Sequence, residues 1–167
     1  MLNKEKTACF SGHRSERLPK YADDLEMLRV RLYEEIDKAV DYGIDTFIFG
    51  ACYGFDLICA EMVLLRQKVI KQSDPKRIRL IAALPFEEQA TKWNERDREL
   101  YFETLPKCDE VITISTKFNM NCYRKRNRFM VDNSSRLISY YDGGRSGTGY
   151  TVNYAKERGY EIINLYK

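Results

Sequence analysis

The stretch YYDGGRSGTGYTV, residues Tyr140–Val152, is the most informative part of the sequence about the fold. It places four glycines between an apolar, aromatic run and a segment with the composition of a helix. Each glycine increases the entropy lost on folding, so a cluster of four indicates that the backbone closely approaches another group. The stretch predicts a strand, a tight turn and a helix whose N-terminus holds a phosphate.

Outside this stretch, apolar runs alternate with segments of helical spacing along the whole chain. Leu28, Leu32 and Ile36, for example, recur every four residues, which predicts one buried helical stripe. Gly43 follows that helix at the position where a C-terminal cap is expected. The predicted strands are residues 7–13, 45–51, 77–86, 109–115, 136–142 and 160–166, and the predicted helices are residues 21–42, 54–70, 87–105, 121–134 and 147–159.

The predicted strands are nearly continuous apolar runs rather than alternating ones. Together with the alternation of strands and helices, this predicts an α/β fold: a mostly parallel sheet of about six strands with helices on both faces. No linker, repeat or low-complexity segment interrupts the pattern. We therefore expect a single domain over residues 1–167.

The composition, 44% hydrophobic and 32% charged, is typical of a soluble globular protein. No apolar run reaches the roughly eighteen residues of a membrane helix, and the N-terminus lacks the pattern of a signal peptide. Five cysteines, an odd number without a CxxC pair, indicate neither disulfides nor a zinc site, and we expect no metal. These features predict a reduced, cytoplasmic protein without a membrane partner.

Positive charge is concentrated in one segment. The net charge of +3 is too small to indicate nucleic-acid binding by itself, but YRKRNRF at residues 123–129 holds four cations. Two interpretations stay open: the cations contact a phosphate, or they form a solvated helix face.

Glycines also follow the first two predicted strands, in SGHR and GACYGFD. Ligands of open parallel sheets bind beyond the carboxyl ends of the strands, so all three glycine turns are expected at one crevice. The alternative is that the glycines only permit tight turns between strand and helix. The three glycine turns predict a phosphate-bearing ligand. The sequence lacks the GxGxxG of common dinucleotide sites and the Walker A lysine, so P-loop hydrolysis of ATP is not expected.

Four blocks carry a resemblance to a known family: CFSGHR, GACYGFDLICAE, LPFEEQATKWNERDR and RNRFMVDNSSRLISYYDGGRSGTGY. They resemble, in order and over almost the whole chain, the YpsA-like family of small bacterial proteins, formerly a domain of unknown function (DUF1273). That family belongs to the SLOG superfamily, with the LOG-type lysine-decarboxylase-like proteins and the Rossmann-like domain of DprA. The resemblance implies a modified Rossmann-like, three-layer sandwich that binds nucleotides or nucleotide-derived ligands, with ADP-ribose or an NAD-like molecule as candidates and no cofactor assigned.

The resemblance leaves catalysis open. LOG enzymes cleave the N-glycosidic bond of a nucleoside monophosphate with a helical arginine and a glutamate just after a GGxGT loop. Arg126 fits the arginine position, but Gly149 and Tyr150 follow Thr148, so the expected glutamate is missing. The candidate catalytic residues are Arg126 and the carboxylates Asp56, Glu61 and Asp142.

Several candidate residues have a structural alternative. Asp56 binds ribose hydroxyls or caps a helix, and Glu61 contacts ligand or pairs with an arginine. Gln89 and Trp93 lie four residues apart on a predicted helix and so share one face. In one interpretation Trp93 stacks on a base and Gln89 reads its edge. In the other, the indole only packs on the surface or at a dimer contact. The predicted ligand-binding residues are Ser11, Gly12, His13, Arg14, Gly50, Gly54, Asp56, Gln89, Trp93, Arg126, Asn127, Asp142, Gly143, Gly144, Ser146, Gly147 and Thr148.

Three functions follow from these observations. The first is binding or sensing of a small-molecule nucleotide, the second is LOG-type hydrolysis, and the third is DprA-like binding of single-stranded DNA. We expect a small nucleotide as the partner, in a homo-oligomer, and do not expect nucleic acid.

Overall fold

The computed structural model describes residues 2–69 and 77–167. Short 3₁₀ turns lie at Lys4–Lys6, Ser15–Arg17 and Leu105–Lys107. The strands are β1 Thr7–Gly12, β2 Thr46–Phe49, β3 Arg79–Phe86, β4 Glu110–Ser115, β5 Arg136–Tyr140 and β6 Glu161–Asn164. The helices are α1 Ala22–Asp41, α2 Phe55–Val69, α3 Glu95–Thr104, α4 Cys122–Asp132 and α5 Gly147–Glu157.

The six strands form one sheet in the order β4-β3-β2-β1-β5-β6, and every neighbouring pair is parallel. Strands β2, β3 and β4 extend the sheet in one direction from β1, and β5 and β6 extend it in the other. The order therefore reverses between β1 and β5, and a crevice opens at the carboxyl ends of strands where such a reversal occurs.

Two hydrophobic clusters cover the two faces of the sheet. Phe10 of β1 packs in a cluster with residues of α1 and α2, whereas its neighbour Cys9 packs in a second cluster with Met130 of α4 and Val152 of α5. Successive strand residues point to opposite faces, so strands buried on both sides need apolar residues at nearly every position. The predicted α/β class, with a parallel sheet between two helical layers, is confirmed.

Helix α1 follows from its sequence almost residue by residue. Leu28, Leu32 and Ile36 are fully buried, as the four-residue spacing predicts. The helix ends before Gly43, which has a φ of 98° and donates its amide to Val40 O at 2.9 Å. This is the left-handed C-terminal cap that glycine favours.

The predicted helix over residues 87–105 is wrong in its first half. Residues 87–93 form turns, and α3 begins only at Glu95, because the Asn94 side chain accepts the Asp97 amide at 2.9 Å and caps the helix there. Tertiary contacts of the turn override its helix propensity. The predicted helix over residues 54–70 is described through Val69, and Ile70 lies outside the described residues.

Within residues 2–69 and 77–167, no helix is both long and apolar enough to span a bilayer.

Candidate functional site

A cavity of about 330 Å³ opens at the carboxyl ends of the strands, where the strand order reverses. We call it the switch cavity. Residues after β1 and β2, the N-terminal half of α4 and the N-terminus of α5 all contribute to its wall. It is lined by Phe10, Ser11, Gly12, His13, Arg14, Glu16, Arg17, Cys52, Asp56, Tyr123, Arg126, Asn127, Met130, Ser146, Gly147 and Thr148.

Close packing requires glycine at several positions around this cavity. A Cβ atom on Gly12 would lie 2.2 Å from the ring of Phe55, and one on Gly50 would lie 2.4 Å from Nη1 of Arg126. Gly54 has a φ of +92°, and a Cβ atom added there would lie 2.6 Å from the Ser15 amide nitrogen. Gly12 and Gly54 let the segments after β1 and β2 contact each other, and Gly50 lets Arg126 of α4 approach the end of β2.

The turn after β5 contains four glycines, and Gly147 differs from the other three. Gly143 has a left-handed φ of +87°; an added Cβ would meet Arg17 Nη2 at Gly144 and the Tyr141 hydroxyl at Gly149. Gly147 has neither constraint, since a Cβ there would find no atom of the described residues within 4 Å. The missing side chain at Gly147 therefore leaves room for another molecule to approach the backbone at the cavity.

Helix α5 presents main-chain donors to the cavity. The Ser146 hydroxyl accepts the Gly149 amide at 3.0 Å and donates to Gly144 O at 3.3 Å, so this predicted ligand-binding residue caps the helix. The amides of Gly147 and Thr148 have no acceptor among the described residues. The first amides of a helix carry partial positive charge and bind anions.

Arg126 lies at the floor of the switch cavity. It is 5% exposed, and its guanidinium donates to Gly50 O, to Ala83 O at 3.4 Å, to Asn127 Oδ1 at 2.8 Å and to Cys52 Sγ at 3.7 Å. Most of its donors are therefore occupied by the protein. Arg126 contributes charge to the floor and ties α4 to the ends of β2 and β3.

Asp56 lies beside Arg126 in the same floor. Its carboxylate accepts the Cys52 amide at 3.2 Å, and only 6% of the residue is exposed. Burial raises the pKa of Asp56 to about 6, although the positive charge of Arg126 and the Cys52 hydrogen bond lower it. A carboxylate of this kind gains or loses a proton near neutral pH, which suits an acid, a base or a hydrogen-bond partner of a sugar.

His13 and Asp142 join the ends of β1 and β5. The Asp142 amide donates to Nε2 of His13 at 3.0 Å, and burial lowers the pKa of that imidazole, so we treat it as neutral. The Asp142 carboxylate accepts Arg17 Nε at 2.8 Å and the Gly144 amide at 2.8 Å, and these contacts hold its pKa well below the usual range. Asp142 therefore shapes the glycine turn rather than facing the cavity.

Arg14 differs from Arg17, which pairs with Asp142, and from Arg126, most of whose donors the protein occupies. Its guanidinium makes no ion pair with any described carboxylate. It lies 5.3 Å from the ring centre of Tyr53 and 5.9 Å from that of Tyr123, which favours a cation–π interaction. Apart from a hydrogen bond with Tyr53, its donors are available to an anion in the cavity. Arg14 thus joins the amides of α5 as a candidate phosphate-binding group.

A second cavity, of about 720 Å³, lies beyond the ends of β2 and β3. We call it the aromatic cavity. Gln89 and Trp93 both line it, but the amide of Gln89 bonds to the turn after β2, with Nε2 donating to Ala51 O at 3.3 Å. Its lining residues are Arg14, Glu16, Tyr53, Phe86, Glu88, Gln89, Thr91, Lys92, Trp93, Asn94, Asp97, Phe118 and Tyr123.

The structure brings together most of the predicted site residues and separates a few. Glu61 is exposed on α2 and pairs with Arg29 at 3.4 Å, so it is not a candidate at this site. Four of the predicted glycines do not line the cavity. Gly143 and Gly144 belong to the turn after β5, and Gly50 and Gly54 belong to the loop after β2. The predicted residues that do line it are Ser11, Gly12, His13, Arg14, Asp56, Arg126, Asn127, Ser146, Gly147 and Thr148.

Sequence reasoning missed six residues that line the switch cavity: Phe10, Glu16, Arg17, Cys52, Tyr123 and Met130. Arg17 holds the 142–145 turn from a distant part of the chain, and no local pattern predicts that contact. Tyr123 begins the basic segment and stacks near Arg14; its aromatic ring among cations was the available signal. Glu16 accepts the Tyr53 hydroxyl at 2.9 Å and lines both cavities. No group of three potential metal ligands occurs in the described part of the chain.

The YspA SLOG family model matches residues 8–165, and the chain therefore belongs to that family. An uncharacterized SPbeta prophage-derived protein, YoqJ of Bacillus subtilis, is 30% identical over 134 residues, covering 72% of this chain and 75% of the relative. A UPF0398 protein of Bacillus cereus is 27% identical over 167 residues, covering 96% of this chain and 88% of the relative.

Two solved structures of the DNA processing protein DprA share the fold at 14% sequence identity. The Streptococcus pneumoniae protein gives a TM-score of 0.62 over 96% of this chain, which spans 50% of that protein. The Helicobacter pylori protein, whose single-stranded DNA binding mode has been described, gives 0.63 over 98% of this chain, which spans 66% of it. The expectation that excluded nucleic acid as a partner is corrected, because these structural neighbours are DNA-processing proteins.

Proposed function

We propose that this member of the YspA SLOG family binds a nucleotide or nucleotide-derived ligand whose phosphate occupies the switch cavity, in a binding or sensing role. One observation carries the proposal: three groups line the same cavity, namely the amides of Gly147 and Thr148, which have no acceptor among the described residues, and the guanidinium of Arg14, which pairs with no described carboxylate. Amides at a helix start and a forked guanidinium are complementary to phosphate oxygens.

The charges of the switch cavity support an anionic ligand. Three arginines line it, against the carboxylates Glu16 and Asp56. A cluster of cations in a partly enclosed cavity attracts phosphate more strongly than the same charges on an open surface, because the surrounding protein screens them less than water does.

Titration calorimetry with ADP and with pyrophosphate tests the proposal. We expect both ligands to bind the wild-type protein and Arg14→Ala to weaken both by about tenfold or more, since it removes a charge-assisted contact. Arg124→Ala is the matched control. Arg124 also stacks on a tyrosine, 5.2 Å from the ring centre of Tyr150, but does not line the switch cavity, so this variant should bind like the wild type.

The absence of heat with either ligand at millimolar concentration, from protein that circular dichroism shows to be folded, would refute the proposal. Equal losses in Arg14→Ala and Arg124→Ala would indicate nonspecific attraction to positive charge instead.

A second candidate function is binding of single-stranded DNA, which the surface formed by α4 and α5 favours. Arginine and tyrosine alternate there: Arg128 Nε donates to the Tyr150 hydroxyl at 2.7 Å, and the guanidinium of Arg158 lies 3.4 Å from the ring centre of Tyr154. Cations interleaved with aromatic rings are typical of sites where bases stack and phosphates pair. The fold likeness to DprA supports the same candidate.

Fluorescence anisotropy of a labelled oligothymidylate separates this candidate from nucleotide binding. If the α4–α5 surface binds DNA, affinity falls steeply with salt, and Arg124→Ala weakens it while leaving ADP binding unchanged. An oligonucleotide that does not bind at low salt would reject the second candidate alone.

The LOG-type alternative needs a carboxylate near the sugar, and the switch cavity offers Asp56 beside Arg126. Free base released from a nucleoside monophosphate, detected by chromatography and lost in Asp56→Asn, would support hydrolysis. Retention of intact nucleotide by protein that binds it would support a binding role without catalysis.

A further inference from the structure

The switch cavity and the aromatic cavity share a wall. Arg14, Glu16 and Tyr123 line both of them, so the two spaces meet at these side chains. A ligand held by phosphate on one side of Arg14 can therefore continue into the aromatic cavity on the other. The volume of about 720 Å³ on that side lies within the range typical of small-molecule sites.

The aromatic cavity has a chemistry unlike that of the switch cavity. Three carboxylates line it, from Glu16, Glu88 and Asp97, against the cations Arg14 and Lys92. This balance disfavours a second phosphate. Five aromatic side chains also line this cavity: Tyr53, Phe86, Trp93, Phe118 and Tyr123.

Several of these rings pack against one another. Trp93 meets Tyr53 edge to face with ring centres 5.2 Å apart, and Phe86 meets Phe118 edge to face at 5.5 Å. Such contacts orient the faces and edges of the rings. A site whose rings are already ordered loses little entropy when a flat group binds.

We propose that the aromatic cavity binds the base of a nucleoside diphosphate whose phosphates occupy the switch cavity, with Arg14 at the junction. The inference rests on the proposed function for the phosphate end and adds the identity of the other end. A planar, uncharged heteroaromatic ring fits walls of aromatic rings, and its ring and exocyclic N–H groups are complementary to carboxylates.

Trp93 provides a direct readout, because it is the single tryptophan of the chain and lines the aromatic cavity only. Pyrophosphate should bind, by calorimetry, without changing tryptophan emission. ADP should bind more tightly than pyrophosphate, compete with it, and change the emission at saturation.

A pair of phenylalanine variants completes the test. Phe118→Ala should weaken ADP binding about fivefold or more, the range for losing one base–aromatic contact, and leave pyrophosphate binding unchanged. Phe102→Ala is the control: Phe102 is 60% exposed and Phe118 61%, but only Phe118 lines the aromatic cavity.

The outcomes separate the two proposals. If pyrophosphate and ADP bind equally, without a change in emission and without an effect of Phe118→Ala, the base site is refuted and the phosphate site stands. If neither ligand binds, the proposed function itself fails. ADP binding with the expected emission change, weakened by Phe118→Ala but not by Phe102→Ala, supports the base site.

Discussion

At the scale of single residues, the glycines around the switch cavity have different reasons to be glycine. Gly12 and Gly50 are packed against side chains, and Gly143 adopts a left-handed φ. Gly147 meets neither condition, although it is the first residue of α5. The sequence predicted a close approach for the whole cluster, but only coordinates distinguish Gly147, which has neither a left-handed φ nor a close contact among the described residues, from the other three.

The variant Gly147→Ala separates binding from folding. We expect its free energy of unfolding to equal or slightly exceed that of the wild type, because the added methyl group meets no described atom and alanine favours a helix. Affinity for ADP, measured by calorimetry, should fall about tenfold or more if phosphate lies against this backbone.

The matched variant Gly12→Ala should lower the free energy of unfolding, which Gly147→Ala should not. Its Cβ would overlap the buried Phe55 ring, and overpacking of this kind costs about 1–3 kcal/mol in the free energy of unfolding. Denaturant titration measures both variants. Unchanged ADP affinity in Gly147→Ala would contradict the placement of phosphate at α5.

Asp56 predicts a pH dependence for anion binding. Because its pKa is raised to about 6, the carboxylate is ionised at pH 7.5 and opposes an anion, whereas protonation near pH 5 removes that charge. Sulfate is a suitable probe because it stays doubly charged over this range. Calorimetry should show tighter sulfate binding at the lower pH, by at least about threefold.

In Asp56→Asn, the affinity for sulfate should depend less on pH over the same interval, with protonation of His13 as the remaining source. A wild-type affinity that does not change with pH, or a variant that keeps the full dependence, would show that another group titrates.

At the scale of elements, the turn between β5 and α5 depends on contacts from far along the chain. Arg17 donates to Asp142 and, at 3.3 Å, to Arg145 O, while the Asp142 carboxylate accepts the Gly144 amide. The sequence pattern predicted a turn and a helix here and both exist. It could not predict Arg17, because nothing local links residues separated by 125 positions.

Residues 87–93 show where local reasoning failed. Their composition favours a helix, yet Asn94 caps α3 only after them. The Gln89 side chain turns inward and donates to the carbonyl of Ala51, which has a left-handed φ of 57°. A buried backbone carbonyl needs a donor, and meeting that need outweighs the modest gain from helix propensity. Most of the site, by contrast, follows from strand ends, which parallel topology places together.

The cap of α5 gives a prediction about stability. Ser146→Ala should lower the free energy of unfolding by about 1 kcal/mol, because the Gly149 amide loses its acceptor. Ser146→Thr keeps a hydroxyl and should lose much less. Thermal or denaturant unfolding measures both, and equal losses would show that the hydroxyl contact does not stabilise the helix start.

At the scale of the whole molecule, the strand order places the loops after β1, β2 and β5 at one edge of the sheet. Another cavity, lined by Lys6, Val40, Gly43 and neighbouring residues, lies at the opposite, amino edge. The alternation of strands and helices was enough to predict the sheet and the edge at which the loops after its strands meet. The division of that edge into a cationic and an aromatic cavity depends on side-chain packing between distant segments, so no sequence pattern predicted it.

Hydrogen exchange tests this arrangement across the chain. ADP should slow amide exchange in three separate segments, residues 11–17, 50–56 and 142–149, and leave residues 40–45 at the amino edge unchanged. Protection restricted to α4 and the C-terminal half of α5 would instead favour the basic surface as the binding site.

A crystal structure of the protein with ADP tests the central claim most directly. The account predicts phosphate oxygens within about 3.2 Å of the amide nitrogens of both Gly147 and Thr148, with the guanidinium of Arg14 on the same phosphates. ADP bound with its phosphates on the exposed arginines of α4 and α5, outside the switch cavity, would contradict it.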